Sequence, residues 1–316
     1  TIENNSEYIH IDKIGLTDTK ENTTSTFLLA RQLLEGTNKI LQLGAREYHV
    51  SFNPYFVNIK GLVGTKGKTK IIIDDLEYNN LRIANSTGLI VKGIKVETVT
   101  ANVRKMGAGI ILTNCSNFDV FDNDVSYFSA QGILLETCKR GFVYKNKINE
   151  TTADGIHCHR GCEDIEIFQN ELENVGDDAI ASFTYTDDFV NFGTGKNKNI
   201  KIYNNIIKPT GNTALSYGAK AISCGGSEGV EIYNNVIDRA YNGGISVMID
   251  ETPDYRVAGA KNIKIKGNTI LGTSETSVIP AITLLTMVDG EFIEDVEIED
   301  NTMEKLYKGC IYVGTD

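Results

Sequence analysis

The sequence predicts an all-β protein, a right-handed single-stranded parallel β-helix with an N-terminal capping helix. Three observations predict it. A short segment recurs with Asn in a constant slot, a second short segment follows at a near-constant distance, and the links between them are too short to hold helices.

The first segment reads "DVFDNDVS", "FVYKNKIN", "EIFQNELE", "KIYNNIIK", "EIYNNVID", "KIKGNTIL" and "EIEDNTME". It aligns Asn123, Asn146, Asn170, Asn205, Asn235, Asn268 and Asn301, at spacings of 23, 24, 35, 30, 33 and 33 residues. Val or Ile stands three residues before each Asn, and Val, Ile, Leu or Met two residues after it. An earlier turn, "LIVKGIKVE", fits with Ile94 in the Asn slot. The second segment begins nine residues past the Asn with a small residue and Ile, as in Gly132-Ile133, Gly155-Ile156, Ala179-Ile180 and Gly244-Ile245. Ala221-Ile222 and Ala281-Ile282 repeat it after longer loops. Such strands cannot bury their faces alone, but stacked coils can pair each with its counterpart above and below. The Asn side chains then form a hydrogen-bonded ladder inside one bend. A leucine-rich repeat needs a denser Leu pattern and a helix per repeat, and a barrel of alternating strands and helices needs longer links.

One helix is expected, over about residues 23–35, with its apolar face through Phe27, Leu28 and Leu33 and Gly36 as its stop. With the strands that follow, it makes residues 1–52 a cap on one end of the solenoid, which would otherwise expose edge strands. Residues 53–316 form the β-helix. The last strand, "CIYVGTD", ends one strand into a coil, which predicts a piece of a longer protein.

Composition narrows the partners. The chain of 316 residues carries a formal charge of −11 and no basic stripe, so a nucleic-acid backbone is not expected to bind. No apolar run reaches the roughly 18 residues of a membrane span. The six cysteines contain no C-x-x-C pair. Cys115, Cys138 and Cys162 share one offset from the Asn slot and are expected to stack as free thiols in the core. In "HCH", alternation puts His157 and His159 outward and Cys158 inward, against a shared zinc ion. His159 is expected to pair with Glu136, its neighbour one coil away.

Stacking turns equal offsets into neighbours about 4.8 Å apart. Gln131, Asp154 and Asp178 lie eight residues past their Asn, and Lys220 takes the matching place before Ala221-Ile222. Asp177 stands beside this column. Carboxylates on consecutive coils repel, which raises one pKa while Lys220 steadies the other charge; acid/base catalysis uses such a split. His157 is outward-facing next to the acids, with the small Ala181 above it leaving an opening, and it is expected to hydrogen-bond substrate there with Lys220 and Gln131. Insertions after Phe183, before Lys220 and after Ile245 are expected to wall a groove with Tyr185, Tyr217, Tyr241 and Tyr255, aromatic faces suited to sugars. The alternatives at single positions are plain: Asp also serves turns, and "TYTDDF" could bind Ca²⁺ through Asp187 and Asp188. No other cofactor is expected.

Here the sequence resembles the pectin-lyase-like superfamily, and within it the polygalacturonase-like glycoside hydrolases. Their motif runs N-T-D, G-D-D, G-H-G, R-I-K on successive coils. "TADG" matches the first with Asp154 and "GDDA" the second with Asp177 and Asp178. "AKAIS" puts Lys220 where the His would be, and "GISVM" puts Ser246 and Met248 where Arg and Lys would hold a uronate. The resemblance implies that Asp177 protonates the leaving oxygen while Asp154 and Asp178 hold the attacking water. The missing cations argue against galacturonan. The capped entrance is also similar to phage tailspike and capsule-depolymerase β-helices, which implies a bacterial surface or extracellular polysaccharide as substrate, a homotrimer, and a place outside the cell or on a virion. Competing functions are a lyase or epimerase, which conscripts Lys220, His157 or Arg160, a teichoic-acid-type phosphodiesterase, and a glycan-binding spike without catalysis.

Overall fold

The computed structural model describes residues 7–14, 23–74, 80–98, 104, 107–208, 219–273 and 279–315. They wind into a parallel β-helix. Three parallel sheets of eleven, ten and ten strands run the length of the molecule, each strand pairing with the equivalent strand of the next coil. One coil illustrates the path. Lys139–Tyr144 lies in the eleven-stranded sheet, Lys147–Thr151 in the second, and Ile156–His159 in the third. The third sheet carries the small-Ile segments and is called the site sheet below.

The bend between the first two sheets is built as the repeat predicts. The residue just before each ladder Asn has φ between +52° and +64°, from Asp300 to Gly267. This left-handed turn swings the Asn side chain inward. Asn146 N–H donates to Asn170 Oδ1 at 3.0 Å, Asn170 N–H to Asn205 Oδ1 at 3.0 Å and Asn205 N–H to Asn235 Oδ1 at 3.0 Å. Each Nδ2 also donates to a backbone carbonyl one coil back, as Asn205 does to Ile167 O at 2.9 Å. Ile94 ends the ladder by donating its N–H to Asn123 Oδ1 at 3.2 Å. The flanking apolar positions are buried in the inner coils, with Val143, Ile167, Ile202 and Ile232 fully so, while Ile298 and Met303 of the last coil are half-buried. Cys115, Cys138 and Cys162 are buried free thiols on successive coils, with Lys139 N–H on Cys115 O and Glu163 N–H on Cys138 O.

One expectation needs correction at the entrance. The helix, α1, spans Thr24–Leu34, and its buried face is Phe27, Ala30 and Leu34, while Leu28 is exposed. The i, i+3, i+7 spacing of those three sets the stripe, and Leu28 falls beside it. The strands Ile40–Gln42 and Glu47–Val50 already pair in parallel with Gly61–Val63 and Thr69–Ile73. Stacking therefore begins before residue 52. No helix among the described residues is long and apolar enough to cross a membrane.

Five of the seven aligned segments also carry an aromatic residue two places before the Asn. Phe121, Tyr144, Phe168, Tyr203 and Tyr233 stack ring on ring at 4.7–5.0 Å, within 6° of parallel. Their faces cover one another, so the row braces the outer surface.

Asn205→Ala orphans the Asn170 N–H and the Ile167 carbonyl in the core, so a loss on the order of 3 kcal/mol is expected. Asn199→Gly, which removes a side chain that meets Asp164 at the surface and suits the left-handed φ of +53° there, should change stability by less than about 0.5 kcal/mol. Equal denaturation midpoints for the two variants would remove the ladder from the account.

Candidate active site

The site sheet sets the column as its register requires. Gly132 N–H donates to Asp154 O, Gly155 N–H to Asp178 O, and Ala179 N–H to Lys220 O. Gln131, Asp154, Asp178 and Lys220 therefore stack in order, and the insertion before Lys220 leaves the register intact. These four line one groove of ≈ 520 Å³ with Asp177, His157, Tyr185 and Tyr255. Tyr217 lies outside the described residues. Two inserted elements wall the groove. A short helix, α2 (Thr186–Asn191), follows Tyr185, and an antiparallel hairpin pairs Glu251–Thr252 with Tyr255–Arg256. The walls meet where Tyr185 bridges Val257, and the Tyr185 and Tyr255 rings pack at 5.0 Å. A larger hollow of ≈ 650 Å³ on the outer face of the eleven-stranded sheet contains none of these groups.

One carboxylate oxygen from each of Asp154, Asp177 and Asp178 lies within 4.8 Å of the other two. Their surroundings differ sharply. Asp154 is buried, its Oδ2 paired with His157 Nδ1 at 2.8 Å and its Oδ1 accepting from Asp178 N–H at 3.2 Å. Burial works against its charge, yet His157, Arg104 and that N–H outweigh it and hold the carboxyl below its usual range. Asp178 is equally buried. Its Oδ1 accepts from Lys220 N–H at 3.1 Å, its Oδ2 accepts from Ser223 Oγ, and Lys220 Nζ lies 3.7 Å away. Burial still pushes its carboxyl up to about 6, Lys220 pulling against it and Asp177 and Asp154 adding to it. Asp177 is the most open of the three and accepts from Arg104 Nη1 at 2.7 Å. Burial and Asp154 raise its carboxyl despite Arg104 and Lys220. One acid is thus held ionised while its neighbours retain a proton more readily.

Three carboxylates this close could offer oxygens to a hard cation. Two protein cations, Arg104 and Lys220, already sit on them. Tyr255 donates to Asp250 at 3.2 Å, and burial, followed by Asp250, pushes its hydroxyl up to about 12. Burial, followed by Asp154, raises the Tyr185 hydroxyl as well.

Arg104 was not visible as a site residue: it stands in "NVRKMG" before the first complete repeat, and no periodic offset points to it. The expected His159–Glu136 pair is also replaced. His159 Nε2 pairs with Asp188 Oδ2 at 3.0 Å, while Arg160 bridges Asp188 at 3.0 Å and Glu136 at 2.7 Å. The reason is α2, which carries Asp188 back over His159 and lets the longer guanidinium reach Glu136. Asp188 Oδ2 also caps α2 by accepting from Tyr185 N–H at 3.2 Å. Both Asp188 oxygens are therefore engaged by protein groups, and Asp187 is exposed.

Residues 53–188 match the family described as periplasmic copper-binding protein (NosD). No curated protein matches the sequence. Among solved structures, the ORF18 protein of Geobacillus virus E2 superimposes with a TM-score of 0.69 at 13% identity, over 98% of this chain and 61% of that one. This chain thus spans less than two thirds of the viral protein's length. The exopolygalacturonase of Thermotoga maritima superimposes with a TM-score of 0.65 at 11% identity, over 98% and 90% of the two chains. An alginate lyase from a Paenibacillus species gives 0.64 at 13% identity, over 92% and 96%.

Lys220→Met removes the cation that favours ionised Asp178, so the Asp178 carboxyl should move above its value of about 6. A ¹³C carboxyl titration reads this directly, and an unchanged or lower midpoint would contradict the assignment of Lys220 as its counter-charge.

Proposed function

From a chain with the pectin-lyase-like right-handed parallel β-helix fold, we propose a polysaccharide hydrolase that cleaves its substrate at Asp154, Asp177 and Asp178. One observation carries the reading: three carboxylates meet in one walled groove with their protonation pushed in opposite directions. Glycosidic cleavage needs a proton for the leaving oxygen and a basic group for the attacking water. The Asp177–Asp178 pair holds the proton, and Asp177 delivers it because its side chain is the more exposed, 23% against 8%. Ionised Asp154, with His157, forms the basic side. Arg104 and Lys220 keep the cluster from accumulating negative charge as the proton leaves. Tyr185 and Tyr255 supply aromatic surface for sugar rings.

Copper, named in the matched family's description, does not fit this groove. Carboxylates are hard donors, whereas copper favours imidazole and thiolate. No described group pairs with His157 Nε2 in the groove, but His159 Nε2 is held by Asp188 and Cys158 is buried in the core, so neither joins it as a second imidazole or thiolate ligand. No step is routed through it.

The substrate we propose is a bacterial surface or extracellular polysaccharide. The likeness to a viral protein and to carbohydrate-active enzymes supports a site of action outside the cell or on a virion. A homotrimer, as in tailspikes, belongs to the same proposal, and sedimentation would read it.

A panel of bacterial glycans treated with wild type and Asp177→Asn tests the chemistry. Shorter chains with new reducing ends, no near-ultraviolet absorbance, and at least a 100-fold slower variant are expected. Absorbing products would make the protein a lyase, and binding without shortening would make it a glycan-binding spike. The proton held near Asp178 is lost as pH rises through about 6, so kcat/KM should fall above that pH. A profile flat from pH 5 to 8 would remove the proposed acid.

A further inference from the structure

We propose that His157 Nε2 is the base that takes the proton of the attacking water and that Asp154 acts through it as a positioning residue, in the inverting cleavage that the family resemblance implies. This rests on the hydrolase reading and reassigns its basic half, which the family resemblance gives to carboxylates.

Three observations meet at His157. Asp154 cannot easily serve as the base itself, since both its oxygens are engaged, one by the imidazole and one by the Asp178 N–H. The acids are also crowded, with one oxygen of each within 4.8 Å of the other two, and an inverting site must seat a water between its acid and its base. The imidazole extends the basic side by the width of a ring. With Nδ1–H donated to Asp154, Nε2 carries the lone pair. Nε2 is buried and no described group pairs with it, on a side chain that is 7% exposed and lines the groove. A buried nitrogen left unpaired costs about 1–3 kcal/mol, a cost that a substrate water would offset. Small Ala181 covers His157 in the next coil, and the His159 and Phe183 rings at 5.2 and 6.4 Å fix its plane. Orientation by a carboxylate on Nδ1 leaves Nε2 as the reactive atom, as in other histidine bases.

The step balances. The water oxygen bonds to the anomeric carbon and its proton passes to Nε2, giving an imidazolium stabilised by Asp154. The bond to the leaving oxygen breaks, and that oxygen takes the proton of the Asp177–Asp178 pair. Solvent then returns one proton to the pair and removes one from His157.

Proton NMR of the first-formed anomer on the wild-type protein tests this without any variant. Inversion is expected. Retention would overturn the proposal by making a carboxylate the nucleophile, while leaving the hydrolase intact; no cleavage of any glycan would instead remove the hydrolase reading. His157→Gln should lower kcat at least 100-fold with KM within about 3-fold, and His157→Ala should regain activity with added imidazole. Near-normal kcat in His157→Gln, or no rescue of a folded His157→Ala, would assign His157 a packing role.

Discussion

Everything in this molecule depends on the bend that holds the Asn ladder. A left-handed residue turns the chain, the Asn behind it drops into the core, and its amide closes hydrogen bonds to the coils on both sides. A buried amide is tolerable only when so satisfied, so each coil must present its Asn at the same height. That pins the register of all three sheets. It also sorts the insertions. Extra residues are accepted after the site strand, as α2 is, or before Lys220, because both places lie outside the Asn bend and the two strands that flank it.

The ladder has an electrostatic consequence. Once register is pinned, residues at equal offsets meet at strand spacing, and the acids of consecutive coils are forced together regardless of their charge. Such crowding is unfavourable in isolation. It is offset by groups that differ for each acid: His157 and a backbone N–H for Asp154, Arg104 for Asp177, Lys220 and Ser223 for Asp178. The same stacking that brings the carboxylates together thus gives them unlike surroundings. Their protonation splits for that reason, and the split makes the cluster useful rather than merely costly.

What could be read from the sequence follows the same division. The ladder, the column of Gln131, Asp154, Asp178 and Lys220, and the outward aim of His157 are statements about offsets within a coil, and offsets survive folding. The aromatic row from Phe121 to Tyr233 was legible in the same alignment, two places before the Asn. Arg104, Asp188 and the inner face of α1 were not. Each is delivered by a segment outside the repeat, whose position depends on what it packs against. For α2 a local signal existed, Asp188 three residues after Tyr185 at a helix start, but nothing local says that its carboxylate returns to His159 and Arg160.

The distribution of cations shows how such a scaffold can change what it does. The family pattern places its positive groups on the site strands themselves, and here those positions hold Lys220, Ser246 and Met248. Ser246 is fully buried and Met248 lines the groove, so those two positions supply it no charge. The compensating charge comes from Arg104, outside the repeat, and it reaches Asp177 across 73 residues of sequence. A positive group on a site strand has its height set by the ladder, whereas one delivered from outside the repeat can change without disturbing register. The acids are therefore the constrained half of this site, and the groups that complement them are the half in which substrate preference can vary.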